Sequence, residues 1–99
     1  MKSVRIAPEA AGDADEISDY IARDDPERAD SFVDELLARA RQIGEGPRRF
    51  RLRPEIGPGL RAARHGPYLV IFDEQPDYIR VLRILHGARD LKRVVRRGR

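Results

Sequence analysis

The sequence predicts one α+β domain in which an N-terminal strand and a helical hairpin pack on a small antiparallel sheet, in the order βααβββ. The spacing of apolar residues changes from helical to alternating near residue 47. The turns between the later strand candidates are too short for the crossover that parallel neighbours need. With 99 residues, the chain suffices for a single domain, residues 1–99, with one modest core.

The N-terminal half supplies the first strand and the hairpin. Val4 and Ile6 alternate with charged residues, which predicts a short strand. Residues 8–46 then show apolar residues at helical spacing, interrupted once. At that interruption Asp25 is a good N-cap and Pro26 fits the first helical position. Residues 8–46 are therefore predicted to form two helices with a very short connection.

The C-terminal half begins with a basic connector, residues 47–59, which is rich in proline, glycine and arginine. Short turns separate the strand candidates that follow it. These candidates are Leu60–Arg64, Tyr68–Asp73 and Tyr78–Leu85. A last helical turn is predicted at Ala88–Val95.

Both faces of the last two strands are apolar, as in a sheet that is covered on both sides. In the second strand candidate, one face holds Leu69 and Ile71, and the other holds Tyr68, Val70 and Phe72. In the third, simple alternation places Ile79, Val81 and Leu85 opposite Leu82 and Ile84. Two helices cover only one face. The other face is either covered by the basic connector or left open for a partner.

Composition narrows the classes of function. The chain contains no Cys, which excludes disulfides, thiolate nucleophiles and cysteine zinc sites. The N-terminus lacks the apolar core of a signal peptide and no apolar run approaches the length of a membrane span, so we expect a cytoplasmic protein. Two histidines without metal-ligand spacing, and no glycine-rich phosphate motif, predict neither a metal site nor a nucleotide cofactor.

Charge is divided unevenly along the chain. Residues 1–46 carry 6 Lys and Arg against 12 Asp and Glu, whereas residues 47–99 carry 14 against 5. A basic half of this kind either attracts an acidic partner or is neutralised by the acidic half within one fold.

Three pieces of sequence carry a resemblance to a known family. The segment from Arg80 to Leu91 is the most distinctive, and Gly57–Arg61 and Gly66–Tyr68 precede it. With the element order above, the chain resembles the ParE toxins of the ParE/RelE superfamily over nearly its whole length. The resemblance implies the toxin of a bacterial type II toxin–antitoxin pair and a ParD-like antitoxin as its partner. ParE-type members poison DNA gyrase, whereas RelE-type members cut mRNA on the ribosome.

The RelE-type alternative would make the chain an enzyme. RNA cleavage needs a general acid and base and cations around the phosphate. The resemblance suggests Arg61, Arg83 and His86 for these roles, with His65 and Tyr78 as weaker candidates. The lysines expected before Arg61 are replaced by arginines, which are poor proton-transfer groups. The leading hypothesis is therefore a gyrase-binding toxin without catalysis, and a third is a degenerate toxin that only binds antitoxin.

Each candidate residue also has a structural interpretation. In that interpretation His86 beside Gly87 only hydrogen-bonds the turn, Arg83 pairs with an acidic residue such as Asp90, and Arg61 is an ordinary edge-strand charge.

Two binding sites are predicted from the resemblance and the charge pattern. The residues predicted to contact the antitoxin are Ile17, Tyr20, Arg61, Tyr68, Val70, Arg83 and Leu85. Those predicted to contact the target are Arg89, Lys92, Arg93, Arg96 and Arg97. DNA contact is expected only through the antitoxin or gyrase complex.

Overall fold

The computed structural model describes residues 1–91, which form two helices and a four-stranded sheet. The elements are β1 (Ser3–Ile6), α1 (Pro8–Ala22), α2 (Pro26–Glu45), a short 3-10 helix (Pro47–Arg49), β2 (Arg61–His65), β3 (Tyr68–Glu74) and β4 (Tyr78–His86). The predicted α+β order is confirmed. The predicted helical turn at Ala88–Val95 lies partly outside the described residues.

The hairpin forms where the sequence places it. Asp25 caps α2 by accepting a hydrogen bond from the Arg28 amide at 3.1 Å, and Pro26 occupies the first helical position. The core-facing residues of the two helices are Ala10, Ala29, Phe32, Leu36 and Ile43. Within residues 1–91, no helix combines the length and apolar content needed to cross a membrane.

The sheet has the strand order β1-β4-β3-β2, so β1 and β2 form its edges. β1 pairs parallel with β4, from Ser3 opposite Tyr78 to Ile6 opposite Val81, and the other pairs are antiparallel. The sheet is therefore mixed. The parallel pair is possible because the hairpin and the two intervening strands separate β1 from β4 in sequence.

The end of α2 approaches β1 very closely. The Lys2 amide donates to the Gly44 carbonyl at 3.2 Å. A Cβ on Gly44 would lie 2.9 Å from the Lys2 oxygen and 3.1 Å from Cγ2 of Val4. Glycine is therefore required for α2 to reach the edge strand.

A bulge in β4 changes which side chains share a face. Ile71 pairs with Arg83, whereas Phe72 pairs with Val81, so Leu82 is one residue in excess. The bulge shifts the alternation by one residue. Ile79, Val81 and Ile84 all pack with the helices, and Leu85 packs on the opposite face. The simple alternation predicted for this strand is therefore wrong beyond Val81.

The basic connector covers the second face of the sheet. Ile56 is buried there, and its neighbours in this smaller core are Leu69, Ile71 and Leu85. Backbone hydrogen bonds fold the connector back on itself, from Arg53 N to Leu60 O at 2.7 Å and from Ile56 N to Arg53 O at 2.9 Å. Of the two alternatives left by the sequence, the structure shows the covered face.

The connector therefore contributes directly to stability. Replacement Ile56→Ala should lower the free energy of unfolding by about 2 kcal/mol or more, because it leaves a cavity against Leu69 and Leu85. Urea denaturation measures this loss. Ile6→Ala, at a side chain that is 44% exposed, should cost less than about 0.5 kcal/mol and serves as control. Equal losses for both variants would show that the connector does not cover the sheet.

Candidate partner-binding cleft

A cleft of about 550 Å³ lies between α1, the paired ends of β3 and β4, and the turn after β4. α1 contributes both charged and apolar side chains to it, and the sheet contributes Tyr68 and the end of β4. The lining residues are Asp13, Glu16, Ile17, Asp19, Tyr20, Arg23, Tyr68, Arg83, Ile84, Leu85, Arg89 and Asp90.

Asp13 of α1 joins the two walls at the base of the cleft. Its carboxylate accepts two hydrogen bonds from Arg83, with Nε at 2.8 Å and Nη2 at 3.0 Å. The same carboxylate accepts the Ile84 amide at 3.0 Å, beside the bulge in β4. The hydrogen bond to Asp13 raises the pKa of Arg83 above its ordinary value, so its charge is held at every physiological pH.

The pairing of Arg83 corrects two expectations. Acidic residues of an amphipathic surface helix are expected on its solvent side, yet only 13% of the Asp13 side chain in α1 is exposed. Asp90, the partner suggested for Arg83, instead pairs with Arg89 at 3.2 Å. The sequence contains a signal for Asp13 that was overlooked: Ala10, Asp13 and Ile17 follow one another at helical spacing, which places Asp13 on the apolar stripe.

The turn after β4 is fixed by its own hydrogen bonds. Nδ1 of His86 accepts the Arg89 amide at 3.1 Å, and the His86 amide donates to Asp90 at 3.2 Å. Burial raises the pKa of Asp90, but hydrogen bonds from Arg89 and the His86 amide together outweigh it and leave the pKa below its ordinary value. The interpretation of His86 as a turn residue is therefore supported by its contacts.

The exposed apolar part of the cleft is the wall of α1 and Tyr68. Tyr20 is 62% exposed, and Ile17 and Tyr68 are half-buried. Five of the seven residues predicted to contact an antitoxin line this one cleft, namely Ile17, Tyr20, Tyr68, Arg83 and Leu85.

The other two predicted antitoxin-binding residues lie elsewhere. Val70 is buried in the main core, and Arg61 lies on β2, where its Nη1 donates to the Phe50 carbonyl at 2.6 Å. Leu85 lines the cleft but is itself largely buried. The accessible lining of the cleft therefore consists mainly of α1 side chains, Tyr68 and Arg83.

The three candidate catalytic residues are not assembled into one group. Arg61 and Arg83 belong to strands separated by β3, which places their backbones about 10 Å apart. Arg83 is bound to Asp13, and Nδ1 of His86 is bound within its own turn.

The weaker catalytic candidates also have structural contacts. His65 Nε2 lies 2.9 Å from Glu35, and the guanidinium of Arg5 lies 4.0 Å from the Tyr78 ring centroid. Among residues 1–91, no group of three or more metal-ligating side chains is arranged around a common point.

Arg89 is the described member of the predicted target-binding set. It lies at the rim of the cleft, 65% exposed and paired with Asp90. Lys92, Arg93, Arg96 and Arg97 lie outside the described residues.

Comparison with known proteins agrees with this architecture. A family model described as the ParE toxin of the type II toxin–antitoxin system parDE matches residues 4–91. The chain belongs to the ParE toxin family. It is also similar to a solved chain of the chromosomal ParDE toxin–antitoxin system of P. aeruginosa, with 26% identity and a TM-score of 0.75. That match covers 87% of this toxin and 96% of the other chain. No match was found among curated proteins.

The Asp13–Arg83 pair should be energetically coupled. A double-mutant cycle with Asp13→Asn and Arg83→Gln should give a coupling free energy of about 1 kcal/mol in urea denaturation. Buried charge-assisted hydrogen bonds typically contribute more than this value. Here the Arg83 side chain is 40% exposed, so solvent screens the interaction and lowers its contribution. Asp15→Asn combined with Arg83→Gln is the control, because Asp15 is exposed. Additive effects of Asp13 and Arg83 would contradict the role given to this pair.

Proposed function

We propose that the cleft receives a helix of a ParD-like antitoxin, and that the free toxin inhibits DNA gyrase in the cytoplasm. The observation that carries the proposal is the convergence of Ile17, Tyr20, Tyr68 and Arg83 in one open cleft of a chain that belongs to the ParE toxin family.

The cleft has the chemistry of a helix-binding groove. An amphipathic helix inserts apolar side chains into such a groove, and Ile17, Tyr20 and Tyr68 provide the complementary surface. A guanidinium has five N–H donors, and Arg83 uses two of them on Asp13. Since Arg83 is 40% exposed, its remaining donors are available to an acidic residue of the antitoxin.

Inhibition by binding is the mechanism supported by the contacts around the basic residues. The candidate catalytic groups are engaged within the fold and lie on separate parts of it. A gyrase-directed toxin needs no proton transfer, only a surface that docks on its target. The exposed Arg89 and the basic residues that follow it are the proposed docking segment.

Antitoxin binding should depend on the α1 wall. Tyr20→Ala should weaken binding about 30-fold, because truncating a central aromatic residue of an interface costs about 2 kcal/mol. Calorimetric titration with the antitoxin measures the loss. Val33→Ala, at an exposed apolar residue of α2 outside the cleft, should leave affinity unchanged. Saturating antitoxin should also raise the melting temperature of the wild type. Equal affinities of both variants would place the antitoxin elsewhere.

Toxicity should depend on the basic C-terminal segment and not on a proton-transfer residue. Deletion of residues 92–99 should abolish growth arrest on expression in bacteria, whereas His86→Ala should retain most of it. A nuclease would behave in the opposite way, since loss of a general acid or base costs about 10²–10⁴ in rate. Each variant is first shown to bind antitoxin, which controls for folding. A wild-type chain that binds antitoxin but never arrests growth would instead support the degenerate toxin.

A further inference from the structure

A second charged surface lies at the β2 edge of the sheet, outside the cleft. Five arginines gather around Phe50, which follows the 3-10 helix. We name this group the arginine surface, and its members are Arg39, Arg49, Arg51, Arg61 and Arg64. None of them lines the cleft.

Direct contacts join three members of this group, Arg39, Arg61 and Arg64, to one another or to Phe50. The guanidinium of Arg39 lies 5.2 Å from the Phe50 ring centroid, and its Nε donates to the Arg64 carbonyl at 3.1 Å. Arg61 donates to the Phe50 carbonyl at 2.6 Å. Arg49 and Arg51 flank Phe50 in sequence, and both are exposed.

The five arginines lack acidic partners in the described part of the chain. Arg28, Arg48, Arg53, Arg80, Arg83 and Arg89 each form an ion pair with a carboxylate, but no member of the arginine surface does so within residues 1–91. Glu35, which lies close to β2, is already engaged by Arg28 and His65. The hydrogen bond from Arg28 lowers the pKa of Glu35 below its ordinary value. Glu55 is paired with Arg53 and interacts with Arg51 only at longer range. Positive charge therefore accumulates on this edge with only partial internal neutralisation.

We propose that the arginine surface docks on the sugar–phosphate backbone of duplex DNA. Alternation along β2 places Arg61 on the helix face with Ala63 and Arg64 on the opposite face with Ala62, so the positive charges straddle the edge of the sheet. The guanidinium fork matches phosphate geometry, and several such groups at one edge give affinity that is independent of sequence. Binding of unstacked bases would need a free aromatic face. Phe50 has no such face, since its ring packs against Phe72 at 5.8 Å and against Arg39. The surface is therefore suited to a backbone and not to exposed bases.

This site is separate from the antitoxin cleft and goes beyond the function proposed above. The two share no lining residue, so an antitoxin helix confined to the cleft would leave the arginine surface open. The DNA contact expected in an antitoxin or gyrase complex would then include the toxin's own side chains.

The test compares two triple variants of equal charge in the full-length chain. Arg39, Arg51 and Arg64 are replaced by Gln in the first variant. Arg5, Arg41 and Arg80, which lie outside both the cleft and the arginine surface, are replaced by Gln in the control. Binding to a labelled 20-base-pair duplex is followed by fluorescence anisotropy over a salt series. The first variant should bind at least tenfold more weakly, with its slope of log affinity against log salt reduced by about 2–3, since each phosphate contact contributes about 0.9. The control should change affinity less than about threefold.

Further experiments distinguish DNA binding at this site from binding by the C-terminal segment and from recognition of an acidic protein. In a chain lacking residues 92–99, the arginine triple should still reduce DNA binding. Unchanged antitoxin affinity shows that the variants fold, and Arg51→Gln alone, at an exposed side chain, serves if the triple variant does not fold. The proposal is overturned if both triples weaken binding equally. It is also overturned if tail deletion removes all DNA binding, or if the surface binds polyglutamate but not DNA.

Discussion

The arrangement of the cleft depends on one carboxylate, that of Asp13. It accepts hydrogen bonds from the Arg83 side chain and from the Ile84 amide, so it ties α1 to β4 where the strand is irregular. A bulge weakens the local ladder and redirects side chains. The bond from α1 supports the strand at this point and orients Arg83 toward the cleft. Without the Asp13 carboxylate, helix α1, which carries Ile17 and Tyr20, would lose its hydrogen bonds to Arg83.

The bulge and the connector together explain how a small sheet buries two apolar faces. The shift in β4 sends Ile84 to the helices and Leu85 to the connector. Ile56 then closes the second face. The apolar part of the connector is turned inward, and three of its four arginines, Arg48, Arg49 and Arg51, are exposed. One segment therefore completes the smaller core and supplies part of the arginine surface.

Local patterns in the sequence were sufficient for the helices, the caps and the three later strands. Asp25–Pro26 and the turn residues act over a few positions, and such signals are visible without the fold. The parallel pairing of β1 with β4 was not predicted, because it joins residues more than seventy positions apart. The bulge was missed because Val81, Leu82, Ile84 and Leu85 are all apolar, so both faces of the strand read as apolar with or without a shift of one residue. Helical spacing places Asp13 on the apolar stripe of α1, but its pairing with Arg83 joins residues 70 positions apart and was missed for the same reason as the parallel strand pair. The convergence of five predicted residues in the cleft rested on the family resemblance and not on periodicity.

The closed second face also changes how an antitoxin would stabilise the toxin. An open apolar sheet would require a partner to complete the core, and the free chain would then be poorly folded. In the structure both faces are covered within residues 1–91, and Ile56, Leu69 and Phe72 are all buried without a partner. Stabilisation by the antitoxin would therefore come from mass action at the cleft. It would grow with the logarithm of the ratio of antitoxin concentration to the dissociation constant. The chain itself closes both apolar cores, so a toxin released from the antitoxin proposed for the cleft would keep its fold.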